Sequence, residues 1–149
     1  YAPHLTVTLL DSLNKRVRFL TEVTAAMGLP NVRCIHARAE EAARTAEHRA
    51  AYDIAVSRAV ARLPVLLEYA LPFVRIGGTL LALKGRAYAA EQKEARRAAE
   101  VLGGGRITAR PVRLPGLDDV RAMLTVTKER QTPAAYPRGG GAPTRRPIV

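Results

Sequence analysis

The 149 residues, 48% of them hydrophobic and none of them Trp, suffice for one sizeable core and are too few for two comfortable domains. Lys and Arg outnumber Asp and Glu by 24 to 13, a net charge of +11 that draws the chain toward polyanions such as RNA, although an arginine-rich protein with no such partner carries the same balance. The most apolar stretch, residues 63–74, is broken by Pro64, Glu68 and Pro72 and falls short of the ~20 residues of a membrane span, which excludes a transmembrane helix.

The chain opens Tyr1-Ala-Pro-His, with neither a basic leader nor an apolar signal core, so no secretion signal is expected; the absence of an initial Met suggests an earlier segment. Residues 5–10 read as a buried strand, and Asp11 stops it. A carboxylate at the carboxyl end of a parallel strand can accept from both hydroxyls of a ribose, and in dinucleotide folds it lies roughly 20 residues after a glycine-rich phosphate turn. Only ten residues precede it here, so the glycine turn and a first strand are expected before Tyr1. Asp11 also suits a plain surface turn ahead of a helix.

Asn14 is predicted to cap a helix reaching Met27, with Val17, Leu20, Thr24 and Met27 on its buried face and Gly28 ending it. Residues 32–37 form a second strand, whose Cys34, the single cysteine, excludes an internal disulfide and a cysteine-built zinc site and fits a reducing cytoplasm. A short helix over 40–48 precedes a third strand, 53–57, apolar in the manner of strands covered on both faces. A helix over 64–74, bent or ended by Pro72, leads through the Gly77-Gly78 turn to a fourth strand, 79–84. Residues 89–102 read as one amphipathic helix with Arg96 and Glu100 as i,i+4 partners, stopped by Gly103-Gly-Gly105. Segments 108–114 and 121–128 then pair as an antiparallel hairpin. The whole is a three-layer α/β sheet with mixed terminal strands. Residues 131–149 hold four prolines, three glycines and three arginines without one acid, a low-complexity tail that lies on RNA or stays disordered.

Arg58 and the Lys84-Gly85 pair fall at strand carboxyl ends, the side on which open α/β sheets bind ligands. A structural ion pair is the alternative reading of Arg58, and a solvated lysine that of Lys84. Lys15, Arg16 and Arg18 could form a basic ridge with Arg138, Arg145 and Arg146 of the tail, or a merely solvated face. Tyr136 is placed to stack on an unpaired base or to be idle. His4, His36 and His48 have no metal-ligand spacing, and no Ser/His/Asp grouping is recognisable.

Several words of the sequence in consecutive order narrow the reading: Leu9-Leu-Asp-Ser-Leu-Asn-Lys-Arg-Val-Arg-Phe-Leu20, Arg38-Ala-Glu-Glu41, Val56-Ser-Arg-Ala-Val-Ala61, Leu83-Lys-Gly85 and Tyr136-Pro-Arg138. Together they resemble the RsmG (GidB) family, bacterial 16S rRNA guanine-N7 methyltransferases. The resemblance implies a class I S-adenosylmethionine-dependent methyltransferase fold over residues 1–130, with 131–149 as a basic tail. It implies S-adenosylmethionine held by Asp11, Ser12, Leu13, Ala39, Glu40 and Arg58, and 16S rRNA or the small ribosomal subunit contacted by Lys15, Arg16, Lys84, Gly85 and Arg138. With the cysteine usage, the histidine spacing and the lack of a membrane span, a cytoplasmic monomer with no metal and no membrane is expected. For N7 methylation no catalytic side chain need show itself, because guanine N7 carries an in-plane lone pair and no proton. The family's glycine-rich turn and the helical segment before it have no counterpart here. In this fold the strand before that turn lies between the strand ending at Leu10 and the one starting near Asp53. At about 4.8 Å per strand, its loss leaves a gap of about 10 Å, so the chain alone is expected to fold poorly or rearrange and to be inactive. The rivals are a methyltransferase of another RNA or a small molecule, and a nucleotide-binding or ribosome-associated module without chemistry.

Overall fold

Val7 and Thr8 are β-branched and open the first strand, β1 (Val7–Asp11), which pairs in parallel with β2 (Val32–His36) so that Leu9 faces Cys34 and Asp11 faces His36. The computed structural model describes residues 2–113, 115–116 and 120–149. Helix α1 (Asn14–Ala26) makes the crossover between the two strands, as a parallel pair requires. Its N-cap is Leu13 rather than Asn14, because the Asp11 carboxylate already takes the Leu13 amide and turns the chain one residue earlier. Val17 is its buried residue. Met27, expected on the same face, is 65% exposed, because it lies past the last helical turn. Gly28 ends the helix at φ +61°, as expected.

The chain divides into two compact units, Tyr1–Ala42 and Ala43–Val149. The first unit is completed by α2 (Ala39–Ala42), which stops well short of His48. Residues 43–50 form turns instead, in which the Arg49 guanidinium takes the Ala43 carbonyl and the Thr45 carbonyl accepts from the His48 and Arg49 amides.

The second unit is built on a four-stranded sheet of order β3-β4-β6-β5. Strand β3 (Tyr52–Arg58) runs parallel to β4 (Val74–Lys84); β4 pairs antiparallel with β6 (Arg121–Thr127), and β6 with β5 (Thr108–Val112). The expected hairpin is present, with the Leu114 end of its first segment outside the described residues. Gly77-Gly78 lies inside β4 rather than before it, at a register shift opposite Tyr52 and Ile54. A side chain at 78 would meet the Asp53 carbonyl at 2.5 Å, so this close approach requires glycine.

Helix α3 (Leu63–Ala70) runs into a single 3-10 turn, Leu71–Phe73, around Pro72. Its Leu63, Leu66 and Leu67 pack with Leu80 of β4 and with Leu124 and Val126 of β6 to form the core. The long helix expected over 89–102 is two, α4 (Tyr88–Glu94) and α5 (Arg96–Val101), broken at the fully buried Ala95. That break puts Glu100 on Arg97, 3.0 Å away, instead of on Arg96. Strand β3 is not covered on both faces: Ile54 and Val56 are 56% and 65% exposed. β3 is also an outer strand of its sheet.

The tail is neither loose nor coreless. It ends in α6 (Ala142–Arg145), buries Pro143, and packs Tyr136 and Ile148 against the core of the second unit. Three charged side chains hold it. Arg44 donates to the Ala135 and Pro137 carbonyls, and Arg49 to those of Thr132, Pro133 and Tyr136. The Glu68 carboxylate, 1% exposed, accepts from the Arg138 amide at 2.7 Å and from its Nε and Nη2 at 2.9 and 2.6 Å.

Candidate functional site

In the first unit, the carboxyl ends of two parallel strands put two loops side by side. Asp11 Oδ1 accepts from the Leu13 amide at 2.8 Å, and its Oδ2 lies 3.4 Å from Arg16 Nη1. The carboxylate is 23% exposed, so it keeps accepting capacity toward solvent after both contacts. His36 Nε2 lies 3.1 Å from the Ser12 carbonyl, and the Ala37 amide donates to the Asp11 carbonyl, which ties the β1 loop to the end of β2. Leu13 beside them is half exposed. In the neighbouring loop Ala39 starts α2, and Glu40 is buried with its Oε1 accepting from Arg38 Nε at 2.9 Å. Five of the six residues expected on the cofactor therefore share one end of the β1–β2 pair. The arrangement offers a partly free carboxylate, an apolar side chain and a buried acid, groups suited to a sugar with an attached flat base.

The sixth, Arg58, belongs to the second unit, where it ends β3 with its side chain exposed. The next residue, Ala59, has φ +56°, a backbone state that a residue with a Cβ rarely adopts. Lys84 ends β4, but it is not a free cation. Its Nζ lies 2.7 Å from Glu91 Oε2 and donates to the Ala61 carbonyl, and its side chain is 9% exposed. Gly85 follows in open space, with nothing within 4 Å of where a Cβ would stand.

Of the expected basic ridge, Lys15 and Arg18 line a shallow surface depression on α1 with Asn14, Phe19 and Glu22. Arg16 is 67% exposed despite its contact with Asp11. Arg138 is spent on Glu68, which raises its pKa above the ordinary arginine value mainly through their hydrogen bonds. Its side chain is still 30% exposed, so one part of it faces solvent while the Glu68 carboxylate holds the other.

Sequence reasoning missed Glu68, Glu91 and Lys128. A carboxylate in the most apolar segment was the available signal for the first. Lys128 is 1% exposed; its Nζ donates to the Leu71 carbonyl at 2.7 Å and to the Thr132 hydroxyl. Burial, with the Arg49 guanidinium nearby, pushes its pKa down to about 8. Among the described residues no group of three His, Cys, Asp or Glu is placed to hold a metal, and no helix is long and apolar enough to cross a membrane.

The architecture, a sheet with parallel strands closed by an antiparallel hairpin, is that of class I S-adenosylmethionine-dependent methyltransferases. The structure is similar to the 16S rRNA (adenine(1408)-N(1))-methyltransferase from Catenulisporales acidiphilia, with a TM-score of 0.67 at 15% identity over 87% of this chain and 76% of that one. It is also similar to an SAM-dependent O-methyltransferase from Thermotoga maritima, with a TM-score of 0.58 at 13% identity over 85% of this chain and 51% of that one. The family model described as rRNA small subunit methyltransferase G (GidB) matches residues 1–112, and the chain belongs to that family. Among its relatives are proteins named ribosomal RNA small subunit methyltransferase G. The one from Desulforamulus reducens is 46% identical over 149 residues, and the one from Alkaliphilus metalliredigens 47% over 148. The match takes in 100% and 99% of this chain, which spans 62% of the length of each relative.

Proposed function

We propose that this chain carries the adenosine end of an S-adenosylmethionine site, in a protein that methylates N7 of a guanine in the 16S rRNA of the small ribosomal subunit. The observation that carries the reading is Asp11: it stands at the carboxyl end of a parallel strand, is fixed by the Leu13 amide, and keeps a partly exposed oxygen, within the segment that matches the family. Asp11 accepts from the ribose hydroxyls, Ser12 and Leu13 border the adenosine, and Ala39 and Glu40 meet the adenine edge; Arg58 of the second unit is assigned to the cofactor through the family resemblance. The bound cofactor supplies a sulfonium methyl group. Guanine N7 offers its lone pair without losing a proton, so the chain's residues align the two reactants rather than take up a proton.

The partner is 16S rRNA, which the net charge of +11 attracts and which Lys15, Arg16 and Gly85 contact. Such a protein works in the cytoplasm.

Asp11→Ala tests the reading by isothermal calorimetry with S-adenosylmethionine, in this chain and in the same sequence carried at the length of its relatives. Loss of a charged acceptor weakens binding by about 1.5–3 kcal/mol, roughly 10- to 150-fold. Unchanged affinity removes Asp11 from the site and the proposal with it.

A further inference from the structure

Two strand and helix ends in the second unit meet on one carboxylate. Glu91, in the first turn of α4, accepts from the Leu63 amide at 2.7 Å through Oε2, and the same oxygen lies 2.7 Å from Lys84 Nζ. Leu63 is the first residue of α3, whose N-cap Arg62 supplies no side-chain cap, so an acid from another helix fills that role. Lys84 ends β4 and also donates to the Ala61 carbonyl. Arg62 in turn pairs with Glu94, three residues after Glu91 on α4. The loop over residues 59–62, between β3 and α3, is thus tied to α4 through Ala61, Arg62 and Leu63.

What the loop itself carries makes the tie informative. Ala59 sits at φ +56°, and such a conformation persists where the surroundings over-determine it. Val60 is 63% exposed and Arg58 is exposed, so the loop gains little order from packing its own side chains. The pair that orders it is shielded, at 9% exposure for Lys84 and 14% for Glu91. A shielded ion pair bonded to main-chain groups resists solvent and salt where a surface pair would not.

We propose that Glu91 is a positioning residue, which with Lys84 fixes the 59–62 loop and thereby holds Arg58 in one orientation at the carboxyl end of β3. The role of Arg58 rests on the proposed function above; the fixing of the loop does not. Lys84 serves the loop in this account, which replaces its expected contact with an RNA phosphate.

Hydrogen exchange followed by mass spectrometry on this chain tests the clamp. Glu91→Ala should speed exchange over residues 59–63 by roughly tenfold or more while β6 keeps its protection. Glu91→Gln, whose side-chain oxygen still accepts from the Leu63 amide, should restore most of that protection, and tryptic cleavage after Arg58 and Arg62 should follow the same order. If Glu91→Ala fails to fold, Lys84→Met frees only the Ala61 end and must still loosen the loop. In the sequence carried at the length of its relatives, Glu91→Ala should raise KM for S-adenosylmethionine about tenfold with kcat within about threefold, and Glu91→Gln should lie between. Parent-like exchange in Glu91→Ala overturns the clamp; a loosened loop with unchanged KM overturns the positioning of Arg58. A parent protein that transfers no methyl group refutes the proposed function instead, and the clamp then stands or falls on exchange alone.

Discussion

Replacing Arg138 with Ala probes whether the carboxyl-terminal segment is part of the folded unit. The Glu68 carboxylate is 1% exposed and has three donors, the Arg138 amide, Nε and Nη2, of which the substitution removes the last two. Stripping the cation from a buried ion pair costs about 3–5 kcal/mol, and the surviving main-chain amide places this case near the lower end, about 3 kcal/mol. For a unit of this size each kcal/mol moves the melting midpoint by about 4–8 °C, so a drop of roughly 12–24 °C is expected. Thermal and urea unfolding followed by circular dichroism read it directly. The double substitution Glu68→Leu with Arg138→Leu removes the charge together with its partner and should cost far less than the two single changes summed. A midpoint for Arg138→Ala within about 1 kcal/mol of the parent would refute the argument, since a side chain free for RNA has no such role in stability.

Lys128 and Gly103 of the same unit give two further outcomes. Lys128 has its pKa lowered from 10.5 to about 8, so between those values the unfolded chain binds the extra proton and stability rises with pH. The full penalty, about 3 kcal/mol, applies below pH 8 and is relieved as pH rises to 10.5. Urea midpoints across that window should climb in the parent and climb less in Lys128→Met; parallel curves would show that this amine is not the source. Gly103 has φ +81° and a Cβ there would lie 2.3 Å from the Arg130 carbonyl, whereas Gly28 at φ +61° has nothing within 4 Å. Gly103→Ala should therefore cost well over 2 kcal/mol and Gly28→Ala about 1 kcal/mol in thermal melts. Equal costs would mean that the close approach at 103 is relieved by a backbone shift.

The parts legible in the sequence were those decided within a few residues. An apolar run stopped by an acid produced β1 and placed Asp11 at its end, because strand burial and turn chemistry are both local. Ser12, Leu13, Ala39 and Glu40 came to that same end through the register of β1 on β2, which alternating strand and helix already implied. The end of α2 was not legible. No Gly or Pro stands between Ala39 and His48, and the turns there are secured by Arg44 and Arg49 reaching carbonyls some ninety residues away. The break at Ala95 was hidden for a related reason: an alanine-rich segment has high helix propensity throughout, and the interruption serves the packing of a buried methyl group.

Residues 131–149 and Lys84 owe their placement to charges far away in sequence, which their own neighbours do not reveal. Composition made residues 131–149 look unable to order, since they bring little apolar surface of their own. The demand for order lay elsewhere, in Glu68, an acid in the middle of the most apolar segment of the chain. Buried there without a cation it would cost several kcal/mol, so the fold has to deliver a base to it, and the tail carries arginine without any competing acid. Lys84 follows the same logic, because a cation ending an inner strand is drawn in by Glu91 of α4. An ionisable group set in an apolar run therefore says more about long-range structure than the apolar residues around it: they can be satisfied by any greasy surface, whereas it can be satisfied only by a particular opposite charge.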